Sequence, residues 1–173
     1  MLRRVSAIVL AAVAAVGLLL TIGSAATAAP THKGQTLLRL HPDAAAALGS
    51  LGVEVGLLAP GYVSGDALAM PVTGRYPAPV VKHVGGLGLT AGATTVTLTN
   101  FWIDTTSGQV SGIVNESVRL DLFAITAGPS AGTVTLVLTA GAAAALDAAF
   151  SVSAFEAGMP IAYATPQPRA AGA

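Results

Sequence analysis

His83 is the side chain whose type best suits it to act as a base or a ligand. It is one of three histidines, and it opens the stretch His83-Val84-Gly85-Gly86-Leu87-Gly88-Leu89, where three glycines interrupt a run of strand character. Strand alternation puts Val81, His83, Gly85, Leu87 and Leu89 on one face and Lys82 on the other. His83 is therefore expected to point inward beside a position with no side chain, and His83 with Gly85 becomes a candidate ligand-binding pair. The plainer account is a hydrogen-bonded core histidine next to a bulge, or a close approach by another strand.

Other chemistries find less support. The glycines lack the spacing of a dinucleotide loop, and strand follows them where a phosphate site needs a helix N-terminus. The histidines at 32, 41 and 83 are scattered, so no metal site is expected. A Ser64, His83, Asp66 triad for ester hydrolysis can be written down, but nucleophile and acid would stand two residues apart, and no G-x-S-x-G is present. These residues argue against an enzyme and leave a small secreted lipid-ester hydrolase as an alternative. Tyr62 and Tyr76 are further ligand candidates. Trp102 and its neighbour Phe101 point to opposite strand faces, so both faces are covered there or one is exposed; core packing is the expectation for both, and an exposed Trp102 would mark a contact surface. Arg119 and Asp121 share a strand face and are expected to pair.

The elements that must position these groups begin after residue 28. Arg3 and Arg4, the uncharged apolar run Val5 to Ile22 and the small residues to Ala29 form the three-part layout of a secretory signal peptide, residues 1–28. An uncleaved anchor is the alternative, because the run is just long enough to span a bilayer. With the leader cleaved, no transmembrane segment is expected, and the protein is placed outside the cell. The remaining 145 of 173 residues fit one domain, 29–165, with a flexible tail at 166–173. There is no cysteine, so burial alone must hold this domain together. Residues 29–173 carry six basic and eight acidic residues, which gives no electrostatic footprint for nucleic acid.

"TVTLVLT" (Thr133 to Thr139) alternates as a half-buried strand and runs into the alanine-rich helix Ala140 to Phe150. Leu38 to Leu48 and Leu136 to Leu146 align without a gap, with leucines at strand spacing followed by four coincident alanines. The pair implies an internal strand–helix repeat. In the first copy Pro42 and Asp43 suit a helix start, and Gly49 and Gly52 suit its end. Strands are expected over Val53 to Leu58, Leu68 to Thr73, Val80 to Thr90, Thr94 to Asp104, Gln109 to Val114 and Ser117 to Thr126. Asp104 and Gly108 should form a tight hairpin turn. Many short strands and two short helices predict a mainly β fold, an antiparallel β-sandwich or flattened barrel.

His83 to Val114, "HVGGLGLTAGATTVTLTNFWIDTTSGQVSGIV", resembles a strand-rich block of small secreted actinobacterial proteins of uncharacterised function. More remotely it is similar to the HtaA-type haem-binding domain. That resemblance implies haem capture at a surface through a tyrosine supported by a histidine. The family's early W-x-x-Y segment is absent, since Trp102 is the sole tryptophan, so no tyrosine can be matched to the axial one. The residues themselves imply no cofactor. They describe a secreted, non-catalytic β-rich module binding a small apolar ligand or a cell-envelope component, with haem binding as the alternative.

Overall fold

A computed structural model describes residues 34–73 and 78–168. The expected signal segment, His32, Tyr76 and residues 169–173 lie outside the described residues. The elements run β1 (Gly34–Leu40), α1 (Pro42–Ser50), β2 (Glu54–Leu58), β3 (Tyr62–Ser64), β4 (Ala67–Thr73), β5 (Val80–His83) and β6 (Gly86–Ala91). They continue as β7 (Thr94–Asp104), β8 (Gln109–Val114), β9 (Val118–Ala127), β10 (Val134–Leu138), α2 (Ala140–Phe150) and β11 (Pro160–Pro168).

Every pairing is antiparallel. Eight strands close a ring in the order β1, β4, β5, β7, β8, β9, β10, β11, with β11 returning to β1. The mainly β expectation is met as a barrel, whose closure removes the free edges an open sandwich would have. β6 and β2 branch from β7, and β3 branches from β4.

The strand–helix repeat is present in three dimensions. β1 and β10 flank the same strand, β11, and each leads through one capping residue into a helix. His41 Nδ1 accepts from the Asp43 amide at 3.3 Å, and Thr139 Oγ1 accepts from the Ala142 amide at 3.1 Å. Ala44 and Leu48 of α1 and Ala142 and Ala143 of α2 are buried, so small alanines let both helices lie close to the barrel. The tail assignment needs correction: Pro166 pairs with Thr36 and Pro168 with Gly34, so β11 continues to Pro168. Beyond Ala164, β10 has no register partner for it, and prolines are tolerated where only one neighbour needs the amides.

One irregularity shapes the barrel wall. Gly85 takes φ 86° between β5 and β6, and directly across from it Asn100 of β7 takes φ 51° and donates its amide to Gly85 O at 3.0 Å. The register shifts between Thr99 and Trp102. β7 therefore pairs with β6 over Thr94 to Thr99 and with β5 over Trp102 to Asp104. Inward parity also shifts here: Val96 and Leu98 are buried before the bulge, Phe101 after it. Trp102 is turned outward as a result.

Candidate functional site

His83 is inside the barrel, 3% exposed, as strand parity requires. Its Nε2 shares a 2.8 Å hydrogen bond with Thr36 Oγ1, reaching from β5 past β4 to β1. Its register partner Val72 on β4 is buried, as are Met70 and Phe101, and its Nδ1 has no hydrogen-bond partner. Burial pushes the pKa down to about 4; the backbones of Phe101 and Val81 oppose this shift without reaching hydrogen-bond geometry at Nδ1. His83 is thus a neutral imidazole at ordinary pH, tied to a core threonine.

The space over Gly85 is filled by the protein itself. A Cβ at this position would stand 2.7 Å from Gly61 N and 3.0 Å from Leu58 O, so the segment between β2 and β3 lies directly on the glycine. The expected ligand gap beside His83 is corrected to a close backbone approach. One shallow surface depression, of about 490 Å³, lies elsewhere, lined by Gln109, Leu120, Asp121, Thr139 and Gly141.

The triad residues are not brought together. Asp66 is held by Arg39 in a two-pronged pair at 2.7 and 2.9 Å, which keeps its carboxyl below the usual range, and His83 is committed to Thr36. Among the described residues no group of three histidine or acidic side chains could hold a metal, and no helix is long and apolar enough to cross a membrane.

The remaining candidates lie on the outer wall. Tyr62 is exposed on β3, its hydroxyl donating to Gln35 Oε1. Trp102 is 37% exposed, which corrects the core-packing expectation for it. Lys82 Nζ sits 4.2 Å from its ring centroid, and the Arg119 guanidinium carbon 3.9 Å. Arg119 also donates to the Asn100 carbonyl, at 3.1 Å from each terminal nitrogen, and to Ser111 Oγ. The expected Arg119–Asp121 pair is not formed. Arg119 is instead committed to the backbone carbonyl of Asn100 at the bulge and to the Trp102 face.

Sequence reasoning missed one pairing. Tyr163 of β11 stands opposite Arg39 of β1, and its ring lies 5.1 Å from that of His41, tilted by 56°. The alternation Ile161, Tyr163, Thr165 carried the signal, but the nearby prolines hid the strand.

No protein-family model matches this chain, and no curated protein does. Among solved structures, the haem-binding protein HtaB from Corynebacterium glutamicum superposes with a TM-score of 0.52 at 13% identity, over 78% of this chain and 91% of that one. The chain shares the fold of HtaB. The remote resemblance to an Hta-type domain, carried by 32 residues of sequence, extends in three dimensions over most of the barrel.

Proposed function

We propose that this chain is an exported, non-catalytic binding module that takes haem on its outer surface. The fold shared with HtaB carries this reading. The chain's own residues suit it in one place. His41 and Tyr163 put an imidazole against a phenol, with Arg39 the register partner of Tyr163. A tyrosine can hold haem iron as phenolate, and haem would supply that iron. His41 would stand beside it as the supporting histidine, and Arg39 could meet a propionate only by exchanging its pair with Asp66. The backbone resting on Gly85 leaves no gap for a ligand beside His83, which favours the outer wall, and the leader-like residues 1–28 support export.

The test is a titration of the leaderless protein with haemin. A shifted Soret band, lost in Tyr163→Phe and retained in Tyr62→Phe, supports the site. Loss in Tyr62→Phe alone would move it to β3, and no spectral change in the parent protein would end the haem reading.

A second reading rests on Trp102. An exposed indole flanked by two cations suits contact with a cell-envelope component. Retention on isolated envelope material by the parent, and not by Trp102→Ala, would favour it over haem.

A further inference from the structure

We propose that the outer wall around Trp102 is a docking site for an acidic glycan, with a sugar ring on the indole and its carboxylate held between Lys82 and Arg119. This names the ligand class for the reading of Trp102 as an envelope contact, and it rests on that reading.

Strand register gathers these groups. Lys82 of β5 is the partner of Trp102 on β7, and Trp102 in turn faces Ser111 of β8. Arg119 of β9 reaches back to Ser111 Oγ, so the two cations approach the indole from opposite sides of β7. Lys82 Nζ and Arg119 Cζ lie 4.2 and 3.9 Å from one ring centroid, which keeps the charges within about 8 Å of each other.

No carboxylate side chain pairs with either cation. All eight acidic side chains of the chain belong to the described residues, and the ion pairs among these are Arg39 with Asp66 and His41 with Asp43. Asp104, two residues beyond Trp102, is turned into its hairpin by the Thr106 and Ser107 amides. Burial lowers the Arg119 pKa with no carboxylate to oppose it. Cations gathered in this way favour an anion from outside the chain.

The guanidinium is already oriented for one. Its Nη1 donates to Asn100 O and Ser111 Oγ, and its Nη2 to Asn100 O. Nε and the second Nη2 hydrogen are left without an acceptor among the described residues, and this edge takes a planar carboxylate in two parallel bonds. Lys82 is exposed on a flexible stem, so it can leave the ring to meet the same anion and open the indole to a sugar.

Other anionic partners suit the wall less. The exposed large apolar side chains, Tyr62, Val63, Trp102 and Val118, are spread over β3, β7 and β9, whereas a bilayer asks for a broad apolar face. Nucleic acid asks for a basic track, and acidic residues outnumber basic ones in residues 29–173. A glycan needs one aromatic surface and a few directed polar groups, which this wall supplies.

Trp102 is the sole tryptophan and so reports on its own site. The leaderless protein is titrated with oligogalacturonate, and its emission should change saturably, more weakly at high salt, with no response to neutral maltooligosaccharides of equal length. Lys82→Ala should bind about 5-fold more weakly. Arg119→Lys, which keeps the charge and loses the fork, should bind about 10-fold more weakly. Unchanged affinity in both variants, or equal binding of the neutral sugar, overturns the proposal. Tighter binding to phosphatidylglycerol vesicles or single-stranded DNA, with the same dependence on Lys82 and Arg119, overturns it in favour of that partner. Trp102-dependent retention on envelope material without any response to oligogalacturonate would keep the envelope reading and end the acidic-glycan proposal.

Discussion

Gly61 N sits 2.7 Å from the point where a side chain on Gly85 would begin, so the chain between β2 and β3 rests on bare backbone. Gly85 also holds φ 86°. Gly85→Ala must therefore relax a disfavoured dihedral and displace a backbone segment, which no side-chain rotation can do. The expected cost is about 2–4 kcal/mol, seen as a melting point lower by roughly 5–15 °C. A variant melting within a degree of the parent would show that the segment is free to lift.

Inside the barrel, Thr36→Val removes the partner of His83 Nε2 and leaves two unpaired ring nitrogens in the core. The cost at pH 7 should be about 1–3 kcal/mol by denaturant unfolding. The pH dependence has a definite sign. His83 is neutral when folded down to about pH 4, whereas an unfolded histidine protonates near 6.5, so the unfolded state binds more protons between these values. Stability is full above pH 6.5 and falls by about 3 kcal/mol as the pH drops to 4. In His83→Gln that fall should vanish. Persistence of the whole slope would assign it to other groups.

Much of this architecture is legible in the sequence because alternation and turn chemistry are local. "TTVTLTNFWID" forms β7, and Asp104 accepts the Thr106 and Ser107 amides in the turn that Gly108 completes at φ 68°. The repeat was visible because its leucines and alanines serve the same contacts in both copies. The candidate site was much less legible. Alternation places His83 on its inward face, but what covers Gly85 is contributed by residues some 25 positions earlier, and no local pattern encodes that contact. The prolines of β11 concealed both the closing strand and Tyr163. Trp102 faces outward because of a bulge at Asn100, a conformation asparagine permits but does not announce.

The outer clamp on Trp102 offers a direct spectroscopic test, since the chain has one tryptophan. Arg119→Ala removes a cation from the ring and two donors from the Asn100 carbonyl. The indole should become more mobile and wetter, with red-shifted emission and faster acrylamide quenching, at a stability cost of about 1 kcal/mol. Lys82→Ala should move the emission less, because Lys82 is exposed and makes no comparable hydrogen bonds. Unchanged emission in Arg119→Ala would mean the guanidinium does not stack in solution.

The two caps of the repeat occupy equivalent positions and should differ in energetic weight. Thr139 Oγ1 accepts the Ala142 amide at 3.1 Å and donates to Asp121 O at 2.7 Å, so one hydroxyl fastens α2 to its own first turn and to β9. His41 accepts the Asp43 amide at 3.3 Å, a longer bond from a bulkier acceptor, and α1 already has Pro42 to fix its first turn. Thr139→Ala is expected to cost about 1–2 kcal/mol, whereas His41→Ala should cost well under 1 kcal/mol. Parallel thermal melts at pH 7.5 compare them directly. The hydroxyl alone is at stake, so Thr139→Ser should recover most of the loss. Equal costs at the two positions would mean that helix propensity and alanine packing, and not the caps, set where both helices begin.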